Sequence, residues 1–138
     1  MIYTSFCGTG KSYLANTFPN DYIEFECWKY QGSDFPNNYI RKIISNVNRF
    51  KYVFISTNPI VLRELYKLGH EINLCYPKNE LKEEYFKRYV ERGSSYDFIE
   101  MLDSNWDNWL DELKDETYCN HIVLDKNEYH TFKKNKKY

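Results

Sequence analysis

Ser5-Phe6-Cys7-Gly8-Thr9-Gly10-Lys11-Ser12 is the stretch on which the reading of this chain turns. It follows a run of β-forming residues, Met1 to Phe6, and leads into a segment that reads as a helix beginning near Lys11. A strand, a glycine-bearing turn, Lys-Ser and then a helix is the context that the Walker A motif requires. Gly8 and Gly10 let the backbone curl so that successive N–H groups face inward, and the start of the helix adds its dipole. The expected ligand is therefore a chain of phosphates. Ser5 stands where the consensus has its first glycine, a departure that reshapes the start of the loop and leaves the anion nest in place.

Outward from this loop, strand-like runs alternate with helix-like ones. Met1–Phe6, Asp21–Glu26, Lys51–Ser56, Glu71–Tyr76 and Tyr118–Leu124 read as strands. Tyr52-Val53-Phe54-Ile55 is continuously apolar, as a strand covered on both faces must be. Phe35–Arg49 reads as a helix with Asp34 as its cap and Tyr39, Ile40, Ile43, Ile44 and Val47 on one face. Pro59–Leu68 follows the Asn58 cap and stops at Gly69. Asn79–Arg92 and Tyr96–Lys114 read as two more helices, parted by Gly93-Ser94-Ser95, with Leu102, Trp106, Trp109, Leu110 and Leu113 at core spacing in the second. The alternation predicts an α/β fold: a central parallel sheet of about five strands flanked by helices, in the three-layer P-loop NTPase manner.

With 138 residues, 42% of them hydrophobic, the chain supplies one core, so residues 1–138 are read as a single domain. A net charge of -1 excludes a general attraction to polyanions, and any positive site must be local. No apolar run approaches a membrane span, and Met1 leads into a strand rather than a signal sequence, so no membrane partner and a cytoplasmic location are expected. Cys7, Cys27, Cys75 and Cys119 show no metal or C-x-x-C spacing and read as reduced thiols. His70, His121 and His130 form no triad or metal pattern. The run 133–137 reads as a solvated basic tail, with a weak oligonucleotide contact as its alternative. Richness in Tyr, Asn and Lys, which AT-rich codons encode, points to a low-GC host or its phage.

The expected chemistry is phosphoryl transfer from ATP with Mg²⁺. Cys7, Gly8, Thr9, Gly10, Lys11 and Ser12 form the ATP site; Lys11 bridges the β- and γ-phosphates, and the Ser12 hydroxyl ligates the metal. Ligands gather at the carboxyl ends of the strands, where Glu24 and Glu26 share one face, with Glu26 expected nearer the site. Four of the five arginines, Arg41, Arg63, Arg88 and Arg92, fall in segments that could face phosphates. Arg88 and Arg92 lie one turn apart before Gly93, as in a mobile lid whose arginines are solvated until phosphate arrives.

The chain resembles the nucleoside monophosphate kinase group of P-loop proteins, particularly the compact adenylate-kinase-like proteins of phages of Gram-positive bacteria. The resemblance rests on the glycine loop, on Asp34-Phe35-Pro36-Asn37-Asn38-Tyr39-Ile40, on Ile55-Ser56-Thr57-Asn58-Pro59 leading to Arg63, and on Tyr76-Pro77 leading to Lys87-Arg88-Tyr89 and Arg92-Gly93. It implies a nucleotide acceptor bound by about 24–45, Arg41 and Arg63 on the acceptor phosphate, and lid arginines Arg88 and Arg92 in about 78–95. The acceptor-binding insertion must be minimal in so short a chain. An acid ending the second strand also resembles the base of P-loop kinases that phosphorylate hydroxyls, so a polynucleotide 5′ end or a small metabolite, with Glu26 as base, is the second enzyme reading. A third is a non-catalytic ATP-binding protein that engages a host factor. Composition leaves monomer and homodimer open.

Overall fold

In the computed structural model, residues 1–129 are described; His130 and the basic run 133–137 lie outside them. Five strands form one sheet, β1 (Ile2–Ser5), β2 (Tyr22–Phe25), β3 (Tyr52–Ile55), β4 (Ile72–Pro77) and β5 (Asn120–Leu124). All neighbours are parallel, in the order β2-β3-β1-β4-β5. The helices between them are α1 (Lys11–Thr17), α2 (Asn37–Ile44), α3 (Pro59–Lys67), α4 (Lys82–Glu91) and α5 (Tyr96–Lys114), with 3₁₀ turns at Cys27–Tyr30 and Asn79–Leu81.

The strand order decides which face each helix covers. The connection from β1 to β2 runs across β3 in one direction, and the other three run the opposite way, so right-handed crossovers put α1 alone on one face. Side-chain alternation agrees. Leu14 of α1 packs with Tyr3, Phe54 and Cys75, while Ile2, Val53 and Ile72 meet α2 and α3, and Leu74 and Tyr76 meet α4 and α5. The sheet therefore lies between two helical layers, with all four residues of β3 buried.

Both ends of α2 differ from expectation for local reasons. α2 stops at Ile44 rather than near Arg49. The buried Asn46 donates its side-chain amide to the Lys42 carbonyl at 2.8 Å, and its backbone N–H bonds instead to Ile43, so the ladder ends in turns. Asp34 does not cap this helix: its carboxylate accepts from Arg41, and α2 begins after Pro36, which follows a cis peptide bond. By contrast Asn58 does cap α3, accepting from the N–H groups of Ile60 and Val61, and Ser95 caps α5 by accepting from Phe98. No helix among the described residues is long and apolar enough to cross a membrane.

β1 and β4 are neighbours whose onward connections leave on opposite faces of the sheet, which opens a crevice at their carboxyl ends. The loop 5–12 lies there.

Candidate functional site

The loop leaves the sheet after Phe6, whose N–H still bonds to the Cys75 carbonyl at 2.9 Å. Gly8 and Gly10 then take φ of +83° and +105°, values that L side chains rarely adopt. Gly8 is required twice over, since a Cβ there would lie 3.0 Å from Tyr89 Cε1.

Three successive carbonyls of the loop are claimed by side chains. Thr9 Oγ1 donates to the Phe6 carbonyl at 2.9 Å, Tyr89 OH to that of Cys7 at 2.9 Å, and Arg88 Nη1 to that of Gly8 at 2.8 Å. In a planar trans peptide the C=O of one residue and the N–H of the next point in opposite directions. Fixing these carbonyls therefore fixes the N–H groups of Cys7, Gly8 and Thr9. Among the described residues, the backbone N–H groups of Gly8, Thr9, Gly10, Lys11 and Ser12 have no hydrogen-bond acceptor. Five consecutive unpaired donors around two left-handed glycines form an anion-binding concavity.

Above this loop is a cavity of about 570 Å³. Ser5 and residues 7–13 line one side; Arg88, Glu91, Arg92, Phe98 and Tyr129 line the other. Burial raises the Cys7 thiol above its ordinary value, outweighing the opposing pull of Lys11 and Arg92, so Cys7 is a small neutral lining residue.

The expected site residues divide. Cys7 through Ser12 all line the cavity, as do Arg88 and Arg92. Of the two carboxylates it is Glu24, not Glu26, that meets the loop: Glu24 Oε2 accepts from Lys11 Nζ at 2.8 Å. The reason lies in the fold, because α1 crosses β3 on the face toward which Glu24 points on its way to the edge strand β2. Glu26 instead accepts from the indole N–H of Trp28 at 2.7 Å, outside the cavity. Arg41 pairs with Asp34 on the surface. Arg63 lies 5.7 Å over the ring of Tyr118, which precedes β5 at the amino ends of the strands. Neither Arg41 nor Arg63 lines the cavity.

Arg88 and Arg92, expected to be alike, are not. The Arg88 side chain is 15% exposed, its guanidinium 4.3 Å from the centroids of both Tyr85 and Tyr129. Arg92 is exposed, and among the described residues its side chain meets the Tyr89 ring at 5.1 Å and, weakly, Ser94 Oγ at 3.5 Å. Solvation of both arginines therefore does not hold for Arg88. Sequence reasoning missed Tyr85, Tyr89, Phe98 and Tyr129. The spacing of Tyr85, Arg88 and Tyr89 along one helical face was the available signal for the first two.

Of the other singled-out groups, His121 is tied into the fold. His121 Nδ1 shares a hydrogen bond with Tyr76 OH at 2.7 Å, and its Nε2 lies 2.7 Å from the Glu116 carbonyl. Among the described residues no cluster of His, Cys, Asp and Glu could hold a metal by itself. No family model, curated protein or solved structure matches the chain.

Proposed function

We propose that this protein is a P-loop phosphotransferase that binds ATP with Mg²⁺ at residues 5–12, and that its acceptor is a nucleotide, in the manner of a (deoxy)nucleoside monophosphate kinase. The observation that carries the proposal is the run of five unpaired N–H donors, Gly8 to Ser12, with Lys11 at its end and a cavity above it. Such a floor suits the oxygens of a di- or triphosphate, and the parallel sheet with the loop at its switch point supports it.

Within this reading the loop N–H groups hold the β-phosphate, and Lys11 exchanges Glu24 for the β- and γ-phosphate oxygens. Ser12 would hold Mg²⁺ together with the phosphates, and the metal would supply charge neutralisation at the transferred group. The fit is with a metal that arrives on the nucleotide, since the described residues offer no ligand cluster of their own. Arg92, exposed on the opposite wall, is the cation free to swing onto the γ-phosphate. A phosphate acceptor is already ionised, so its attack needs positioning and charge stabilisation rather than a base.

One observation favours a second reading. Glu24 lies against Lys11 and accepts weakly from Tyr22 OH at 3.4 Å, and a carboxylate beside the loop lysine supports a reading in which it takes the proton of a hydroxyl acceptor. In that reading Glu24 replaces Glu26 in the role.

The test is incubation of the full chain with γ-labelled ATP and Mg²⁺ against nucleoside monophosphates, 5′-hydroxyl oligonucleotides and small alcohols, with a chelator control. Label in a nucleoside diphosphate, lost with chelator, is the expected result. Label on a hydroxyl selects the second reading, binding without transfer selects a non-catalytic protein, and no ATP binding overturns the proposal.

A further inference from the structure

We infer that Arg88 is a positioning residue that sets the shape of the phosphate loop from behind, and that of the two arginines Arg92, which caps the end of α4, is the one available to the transferred phosphate. The inference rests on the phosphate-site reading above and goes beyond it by separating two residues that the sequence presents as a pair.

Arg88 already has partners within the protein. Its Nη1 donates to the Gly8 carbonyl at 2.8 Å, and its guanidinium lies between the rings of Tyr85 and Tyr129, 4.3 Å from each centroid. Glu84 Oε1 stands 4.0 Å from its Nη2. A planar cation between two aromatic faces, with a carbonyl at its edge and a carboxylate nearby, is satisfied by its own protein. To meet a γ-phosphate it would have to abandon the rings and the carbonyl together. Among the described residues, Arg92 has one ring contact and one weak hydrogen bond to give up in doing the same.

What the Arg88 contact does follows from peptide geometry. Holding the Gly8 carbonyl outward turns the Thr9 N–H the opposite way. Tyr89, one residue on, does the same for the Gly8 N–H by binding the Cys7 carbonyl. Two adjacent donors of the proposed nest are thus oriented from α4. Gly8 makes the approach feasible: its missing Cβ leaves room for Tyr89 Cε1 and for Tyr85 Cδ2, which would lie 3.0 and 3.2 Å from it. The loop's pre-organisation is in this sense built into α4.

The two roles leave different signatures. A γ-phosphate contact strengthens binding of MgATP over MgADP, whereas a residue that shapes the floor acts on both alike. The experiment is calorimetric titration of the full chain, well below its melting temperature, with MgADP and with MgATP, for wild type, Arg88→Ala, Arg88→Lys and Arg92→Ala. Loss of one charge-assisted hydrogen bond predicts that Arg88→Ala weakens both nucleotides by the same factor, about 10-fold or more. Millimolar guanidinium chloride should restore part of that loss, by filling the slot between Tyr85 and Tyr129, and should do nothing for wild type. Arg92→Ala should weaken MgATP more than MgADP. If Arg88→Ala does not fold, Arg88→Lys carries the same comparison, since lysine keeps the charge but not the planar fork. Unchanged affinity in a folded Arg88 variant, or a loss confined to MgATP, overturns the inference while leaving the phosphate site standing. Failure of wild type to bind either nucleotide removes the site itself, and the inference with it.

Discussion

The two walls that flank the glycine loop are built on opposite plans. On the α4 side, Tyr85 and Tyr89 are buried, Arg88 is nearly so, and two of them bond directly to loop carbonyls. On the β2 side, Glu24 and Lys11 form a pair that is about one-third exposed, and farther out, beyond the cavity, Trp28 is 65% exposed and Arg41 pairs with Asp34 at the surface. Rings and carbonyls fix one wall at the cost of adaptability; long charged side chains leave the other free to rearrange. In the proposed kinase this difference has a use. The donor's phosphates would meet a floor held by side chains, and the acceptor would enter on the side that is less tied down.

The largest expected effect removes the residue that joins the walls. Lys11→Ala deletes the ammonium that Glu24 now holds and that the phosphates would take, and turnover should fall by about 100-fold or more with the fold intact. Circular dichroism and a label-transfer assay check this together. Wild-type turnover in a folded variant would end the phosphate-loop reading.

A smaller effect compares two glycines. Gly8→Ala meets Tyr89 Cε1 at 3.0 Å and adopts φ of +83°, so it should cost about 1–3 kcal/mol of stability and weaken nucleotide binding. Gly69→Ala has the same backbone strain at φ +84° but no atom within 4 Å of the added carbon. Its cost should be about 1 kcal/mol, with no change in nucleotide affinity. Thermal melts and titrations of the two variants separate strain from the contact with α4. Equal effects on binding would mean that α4 does not shape the loop.

These comparisons also show what was legible in the sequence. The alternation of strands and helices, the glycine loop, the Asn58 cap and the break at Gly93-Ser94-Ser95 are local signals, and the structure carries each of them. The end of α2 was not legible because it depends on where one amide, that of Asn46, finds its partner. Alternation predicts Glu24 and Glu26 on one strand face, but β2 ends at Phe25 and Glu26 opens the following turn, so the path of α1 over β3 brings Lys11 to Glu24. Arg63 lies away from the loop cavity for a related reason, being on a helix whose path over the sheet brings it to Tyr118. Arg88 and Arg92 have identical chemistry and helical spacing, and the rings that divide them come from α4 and from Tyr129, about forty residues away in sequence. Spacing along one element was readable; juxtaposition between elements was not.

Alkaline pH tests the rigid wall by another route. Burial pushes Tyr85 up to about 12 from an ordinary 10.0, and Tyr3 in the sheet likewise, and it raises Tyr89 as well. In the unfolded chain these phenols ionise near pH 10, whereas in the folded chain they stay neutral to higher pH. Their contribution is therefore complete below pH 10 and is lost as the pH rises from 10 toward 12, by up to about 1.4 kcal/mol per pH unit for each phenol. Denaturant melts between pH 9 and 11 should show the decline, and Tyr85→Phe should make it shallower. A stability flat across that range would contradict the burial of these hydroxyls.

The smallest effect belongs to the open wall. Glu24→Gln removes the charge that holds Lys11 in the free protein, and an exposed pair of this kind is worth about 0–1 kcal/mol. The sign is set by competition: phosphates must take Lys11 from Glu24, and a carboxylate beside the loop repels them besides. Nucleotide affinity should therefore rise, by at most about fivefold. The gain should shrink as added salt screens both interactions. Turnover carries the second half of the test. With an ionised phosphate as acceptor, Glu24 has no proton to take and kcat should stay near wild type. With a hydroxyl acceptor the carboxylate is the base, and kcat should fall by about 100-fold even as the nucleotide binds more tightly. Measured on one variant, the two constants separate a competitor for Lys11 from a catalyst, and a drop in affinity would show that Glu24 supports the loop rather than restrains its lysine.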